Sequence, residues 1–136
     1  MLMHIPKCFT PDLLRLLMEM GHGEELLICD ANFPYLSNAG AGPVYITGLT
    51  VPQLLTEILR FFPLDQTVEK AAVVMESAKE SEAYASFAQI LGSVDILPRF
   101  DFYERARSAV GLIVTSDTVK GGNILLKKGV VKDEDI

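Results

Sequence analysis

Short apolar runs alternate with amphipathic segments along the whole chain, and this alternation constrains the fold more than any other feature. The runs typical of buried strands are Glu25–Cys29, Val44–Thr47, Ala71–Met75, Val94–Leu97, Leu112–Thr115 and Asn123–Lys127. Strands that alternate with helices usually pair in parallel, because each helix carries the chain back to the start of the next strand. The pattern therefore predicts an α/β fold with a largely parallel sheet sandwiched by helices.

Helix start and stop signals lie between these runs. Thr10 can cap a helix over Pro11–Met20, which Gly21 ends. Thr50 and Gln53 have the spacing of a capping box, and Pro63 stops the helix that follows them. Two more helices are predicted over Glu82–Leu91 and from Phe102 to about Val110, and residues 31–43 are predicted to form a loop.

Size and charge limit the classes of function. A chain of 136 residues suits one domain over residues 1–136. The net charge is −6 and the basic residues are scattered, which argues against nucleic acid as a partner. No apolar run approaches the roughly 18 residues that a membrane helix needs. Nothing in the sequence indicates export, so we expect a cytoplasmic protein.

Metal and cofactor motifs are missing. Cys8 and Cys29 form no CxxC pair, and the two histidines show no HxH or HxxxH spacing. The Gly-containing stretch of residues 39–42 has neither the Lys nor the Ser/Thr of a phosphate-binding loop. We therefore expect no metal and no cofactor, and chemistry performed by side chains alone.

Three polar residues are candidates for a binding site, and each has an alternative interpretation. Asp30 follows a predicted strand, where its carboxylate can accept hydrogen bonds from a ligand or can satisfy nearby backbone N–H groups. His22 can act as a general acid or base. Alternatively, it is a histidine at the end of a helix whose charged form interacts favourably with the helix dipole. Arg99 can donate hydrogen bonds to a ligand in a fixed fork, or can pair with Asp101 and Glu104.

Four motifs in order resemble the L-fucose mutarotase and D-ribose pyranase (FucU/RbsD) family. They are MGHGEEL from Met20, CDANFP from Cys29, RFDFYERA from Arg99 and GNILLKKGV from Gly122. The last two are more similar to the fucose branch than to the ribose branch. The resemblance extends over most of the chain and is weakest between Gln66 and Ser93.

The resemblance implies an enzyme that interconverts the anomers of a free monosaccharide, most readily L-fucose, by acid–base ring opening. It implies His22 as the proton donor and Asp30 and Arg99 as substrate-binding residues. Gly121, Gly122 and Asn123 match the tripeptide that also binds substrate. It further implies a ring-shaped homo-oligomer, typically a decamer, and no cofactor. D-ribose pyranase activity and a non-catalytic monosaccharide-binding protein are the alternatives.

Two departures from the family pattern bear on rate and sugar choice. Family members typically carry a tyrosine where this chain has Gly121, and the fucose branch often has a histidine where this chain has Asn32. The site also poses a geometric problem, since eight extended residues between His22 and Asp30 span about 25 Å. We expect a strong bend between Gly23 and Leu26, alone or together with a neighbouring subunit that completes the pocket.

Overall fold

The computed structural model describes residues 1–136, and all its strands belong to one mixed six-stranded sheet. The order across the sheet is β2-β5-β1-β6-β3-β4. The strands are β1 (Glu25–Cys29), β2 (Pro43–Ile46), β3 (Ala72–Met75), β4 (Asp95–Leu97), β5 (Gly111–Thr115) and β6 (Ile124–Lys127). The α-helices are α1 (Pro11–Glu19), α2 (Tyr35–Asn38), α3 (Val51–Ile58), α4 (Glu82–Leu91) and α5 (Arg99–Arg107).

Five of the six strands run in the same direction, which confirms the predicted, largely parallel α/β sheet. The exception is β6, which pairs antiparallel with β1 and with β3. A parallel connection needs a crossover long enough to return the chain to the start of the next strand. The loop of residues 116–123 that joins β5 to β6 contains no helix. The chain therefore re-enters the sheet from the edge at which β5 ended.

Helices cover both faces of the sheet, because strand side chains alternate between two apolar clusters. On one face, Leu26 and Ile28 of β1 pack in a cluster with buried residues of α1, α3 and α4. On the other face, Leu27 and Cys29 pack with buried residues of α5. No helix is long and apolar enough to cross a bilayer.

Several element boundaries differ from the prediction. Helix α5 begins at Arg99 rather than Phe102, because Pro98 occupies the N-cap position and Asp101 lies inside the first turn. Helix α3 ends at Ile58 and does not reach Pro63, since the N–H groups of Arg60 and Phe61 bond three residues back.

Three short helices were not predicted, one of them the 3₁₀ helix Asp133–Asp135 near the C-terminus. Residues 31–43 contain α2, which is only one turn long. A 3₁₀ helix, Glu76–Glu80, follows β3 directly and connects it to α4. It carries residues of the candidate site.

Candidate functional site

The carboxyl ends of β1, β3 and β5 meet the amino end of β6 at one edge of the sheet. Asp30 directly follows β1 and Asn123 directly precedes β6. The backbone N–H of Asp30 donates to Asn123 Oδ1 at 2.8 Å. The hydroxyl of Thr115 donates to the carbonyl of Cys29 at 2.9 Å, which ties the end of β5 to the end of β1. In open α/β sheets, this edge is where ligands bind.

A cavity of about 190 Å³ opens at this edge. It is smaller than the ~300–1,000 Å³ typical of sites for drug-sized ligands, so it suits a small molecule. Its polar wall includes Asp30, Asn32, Ser77, Arg99, Thr118 and Asn123, and its apolar wall is formed by Phe33, Met75 and Tyr103. The ring of Tyr103 packs edge-on against Phe33, with 5.4 Å between centroids. A wall of this mixed kind matches a sugar, which presents hydroxyls and C–H faces together.

Asp30 is a buried carboxylate that faces the cavity, with 3% of the residue exposed. Its Oδ1 accepts from the N–H of Asn32 at 2.9 Å and its Oδ2 from the N–H of Gly122 at 3.1 Å. Burial raises the pKa of Asp30 above its usual value, although the N–H groups of Asn32, Gly122 and Phe33 lower it, and the charge of Asp117 raises it further. A carboxylate has about four acceptor sites, so two remain for a ligand. Asp30 therefore holds its own loop and still presents acceptors to the cavity.

Asn123, Gly121 and Gly122 have distinct positions around Asp30. The side chain of Asn123 is buried and lines the cavity, with its amide nitrogen free of hydrogen bonds within the chain. Gly121 also lines the cavity. Gly122 does not line it and contributes through its N–H to Asp30. The tripeptide thus supplies one ligand-facing side chain and the backbone that fixes the carboxylate.

Arg99 is the first residue of α5 and lines the cavity with an exposed side chain. None of the ion pairs of the chain includes Arg99, so the alternative partners Asp101 and Glu104 are not engaged. Its guanidinium is left with its donors available for a ligand. Of the predicted residues, the structure gathers Asp30, Arg99, Gly121 and Asn123 around one cavity, with Gly122 behind them.

His22 lies at the opposite edge of the sheet from these residues within the chain. The N–H of Gly23 bonds to the carbonyl of Lys128 at the far end of β6, whereas Asp30 bonds to Asn123 at its near end. Lys128 and Asn123 are five extended residues apart, which corresponds to about 17 Å. The expected bend between Gly23 and Leu26 is wrong, because the intervening chain enters β1 and pairs regularly with β6.

Asp65 is a residue that the sequence reasoning missed. Its side chain is 3% exposed, and its Oδ1 lies 3.2 Å from Nε2 of His22. The N–H and hydroxyl of Thr67 donate to the same oxygen at 2.9 and 2.7 Å. These two bonds, followed by the contact with His22, lower the pKa of Asp65 to about 2. An ionised carboxylate therefore stands beside the imidazole.

No local signal in the sequence pointed to this pair. His22 and Asp65 are 43 positions apart, and they meet because the N–H of Asp65 bonds to the carbonyl of Lys127 at the end of β6. Tyr103, within the RFDFYERA motif, was not among the predicted site residues, and it lines the cavity. Ser77 and Thr118 were missed because they lie in segments with no motif.

Both cysteines are free thiols, and neither lies in the cavity lining. Cys29 is buried under the site, where burial and the charge of Asp30 raise its pKa to about 12. No group of three or more His, Cys, Asp or Glu side chains is arranged to hold a metal ion.

Comparison with known proteins shows similarity along nearly the whole chain. Residues 3–131 match the RbsD / FucU transport protein family. The fucose mutarotase of Danio rerio is 39% identical, with 96% of this chain and 95% of that protein covered. The L-fucose mutarotase of Histophilus somni (strain 2336) is 37% identical, with 96% and 97% covered. The crystal structure of the fucose mutarotase from Streptococcus pneumoniae in complex with L-fucose superposes with a TM-score of 0.88 at 38% identity, with 96% and 100% covered.

Proposed function

The chain belongs to the RbsD / FucU transport protein family, and from this membership we propose that it is an isomerase, a mutarotase that interconverts the α and β anomers of free L-fucose. The observation that carries the proposal is the small cavity at the strand edge. It combines a buried carboxylate, an unpaired guanidinium and an aromatic wall in a chain that aligns with fucose mutarotases over nearly its whole length.

Mutarotation needs two proton transfers to open the ring and two in reverse to close it, and it changes only the configuration at the anomeric carbon. A proton reaches the ring oxygen while the anomeric hydroxyl loses its proton, so that the bond between the anomeric carbon and the ring oxygen breaks. The open aldehyde rotates and closes again, which returns both protons. We assign to Asp30 and Arg99 the orientation of the sugar hydroxyls, and to the free amide nitrogen of Asn123 a further hydrogen bond. These groups hold the sugar, one acid–base residue supplies the proton to the ring oxygen, and solvent takes up the proton of the anomeric hydroxyl.

We assign the proton donor to His22 of a neighbouring subunit. The assignment is supported by the separation of about 17 Å between the two ends of β6, which one monosaccharide does not bridge. It is also supported by the partner of His22, since the ionised Asp65 can fix the orientation and tautomer of the imidazole. Asp65 is thus a positioning residue.

Self-association into a ring, which we propose to be a decamer, supplies that neighbour. Large apolar side chains that are exposed on the single chain support association, because a neighbouring subunit that covers them would remove apolar surface from water. They include Leu2, Met3, Met18, Leu36 and Phe100, each at least 70% exposed. We place the enzyme in the cytoplasm, where a reducing environment suits its two free cysteines.

Anomer exchange measured by saturation-transfer NMR tests the proposed function. The wild-type protein is expected to speed exchange between the α and β signals of L-fucose. His22→Ala is expected to slow it by about 10²- to 10⁴-fold, the usual contribution of one acid–base residue. His4→Asn is the matched control, because His4 is exposed at a positive φ that asparagine tolerates.

The same assay distinguishes the alternatives. Exchange of D-ribose that exceeds exchange of L-fucose would make the protein a pyranase, and D-galactose serves as a third sugar. Thermal stabilisation by a sugar without faster exchange would indicate a binding protein. Unchanged exchange of every sugar would reject catalysis.

A further inference from the structure

Ser77 is a polar residue of the cavity that neither the motifs nor the mechanism above uses. It lies in the 3₁₀ helix Glu76–Glu80, directly after β3, and so at the same edge of the sheet as Asp30. The residue is half-buried and lines the cavity. The nearby Ser81 donates to Ala78 O and accepts from Ala83 N, whereas the Ser77 hydroxyl makes no hydrogen bond within the chain. A hydroxyl without a partner in a sugar-sized cavity is available to a ligand.

The position of this hydroxyl depends on Gly121. Gly121 has a φ of +69°, and a Cβ added to it would lie 2.8 Å from Ser77 Oγ and 2.8 Å from the backbone nitrogen of Ala78. Contacts this short do not occur with real Cβ atoms, so any side chain at position 121 would push the 3₁₀ helix away. Glycine thus lets the Ser77 hydroxyl lie against the loop that carries Asn123.

The 3₁₀ helix is held in place at this distance from the loop. Ala78 is fully buried in the apolar cluster on one face of the sheet. Lys120, which precedes Gly121, pairs with Glu80 at 2.9 Å and joins the two segments across the cavity rim. Ser77 is therefore presented to the cavity by two anchored segments.

Ser77 also stands where the cavity meets a second, fully polar recess. This recess has a volume of about 310 Å³ and is lined by Glu76, Ser77, Glu80, Arg99 and Lys120. Ser77, Arg99 and Lys120 line both spaces. Arg99 and Lys120 only donate hydrogen bonds, whereas a serine hydroxyl both donates and accepts. The Ser77 hydroxyl is thus the neutral group between the two spaces that can donate a hydrogen bond to a sugar hydroxyl or accept one from it.

We propose that Ser77 is a specificity-determining residue that hydrogen-bonds one ring hydroxyl of the bound monosaccharide, in a position that Gly121 makes possible. The proposal rests on the proposed function for the class of ligand. It does not require Ser77 to take part in proton transfer. Its signature is a loss of affinity that depends on one hydroxyl of the sugar.

Calorimetric binding and exchange kinetics with L-fucose and its 2-, 3- and 4-monodeoxy derivatives test this. Ser77→Ala is expected to weaken L-fucose affinity by about 2- to 12-fold, the fold-change of one neutral hydrogen bond, with kcat nearly unchanged. The loss should vanish for the one derivative that lacks the contacted hydroxyl, and Ser77→Thr should restore much of the affinity. Gly121→Ala should reduce affinity at least as much.

Ser86→Ala is the matched control, because Ser86 is also half-buried, lies on α4 outside the cavity lining, and its hydroxyl bonds only to the carbonyl of Glu82. Unchanged L-fucose affinity in Ser77→Ala would overturn the proposal. A loss of equal size for all three derivatives would also overturn it, because a structural role predicts that result. A wild-type protein that fails to speed exchange would reject the mutarotase function. The role of Ser77 would still be tested, because calorimetry measures the affinity for the sugar without any exchange.

Discussion

The surroundings of two buried carboxylates, Asp30 and Asp65, shift their pKa values in opposite directions. The two residues lie at opposite edges of the sheet. Burial raises the pKa of Asp30, which faces the cavity with two of its acceptor sites used. Two bonds from Thr67 and the contact with His22 lower the pKa of Asp65 to about 2. The first is an acceptor for a neutral ligand, and the second is a fixed negative charge beside an imidazole. The different roles that we assign to them follow from these environments.

Asp65→Asn tests the role of that fixed charge. A carboxylate whose pKa is lowered by folding, here from 3.8 to about 2, stabilises the fold above its unfolded pKa, and this contribution is lost as the pH falls. The free energy of unfolding of wild-type and variant should therefore differ at pH 7 and converge between about pH 4 and pH 2.

Thermal unfolding over this pH range measures the convergence, with Glu69→Gln as a control on an exposed carboxylate. The exchange rate of Asp65→Asn should also fall while L-fucose affinity is kept, because the residue orients His22 and touches no sugar. A constant difference between the two unfolding curves at all pH values would contradict the ionised Asp65.

Arg99→Ala tests the unpaired guanidinium. Since Arg99 has no ion-pair partner to leave behind, its loss should affect ligand binding rather than the fold. A hydrogen bond from a charged group contributes about 1.5–3 kcal/mol, so the KM for L-fucose should rise roughly 10- to 100-fold. Arg15→Ala on α1, far from the cavity, is the control. An unchanged KM would remove Arg99 from the site.

At this scale, sequence reasoning finds the residues that carry a motif and misses those that do not. Asp30, Arg99 and Asn123 stand in the motif segments and meet at the cavity. Asp65 and Ser77 do not, because their roles arise from contacts with residues more than forty positions away. Such contacts become visible only when the strands are in register.

At the scale of elements, the direction of β6 decides which residues share the cavity. A parallel β6 would place Asn123 at the other edge, near His22 and away from Asp30. The antiparallel pairing with β1 and β3 instead places it against the end of β1. The sequence indicated the strand but not its direction, because period and composition are the same for both. The missing helix between β5 and β6 was the available signal.

The capping box of α3 was predicted from spacing and is present, with the Thr50 side chain accepting from the N–H of Gln53. Thr50→Ala should lower the free energy of unfolding by about 1 kcal/mol, the usual effect of losing an N-cap side chain. Exchange kinetics should stay unchanged, because Thr50 does not line the site cavity. Thr56→Ala on the same helix is the control, since its hydroxyl bonds only to the carbonyl of Pro52. Chemical denaturation measures both, and equal effects would contradict the capping role.

At the scale of the whole molecule, we propose that one chain holds two separate parts of a site. The residues to which we assign the orientation of the sugar lie at one edge of the sheet, and the pair of His22 and Asp65 lies at the other. The sequence raised this problem through the length of the segment between His22 and Asp30. The sequence reasoning answered it with a bend in the chain, alone or together with a neighbouring subunit. The regular pairing of β1 contradicts the bend, and for this reason we propose the neighbouring subunit.

Complementation between two inactive variants tests this account most directly. His22→Ala keeps the sugar-binding edge, and Asp30→Asn keeps the proton-donor edge. Each variant alone should show little L-fucose exchange by saturation-transfer NMR, with assembly verified by light scattering. Co-expressed in equal amounts, they should recover roughly a quarter of the wild-type rate, because that fraction of head-to-tail contacts joins an intact His22 to an intact Asp30. Mixed assemblies that remain as inactive as the single variants would contradict the shared site.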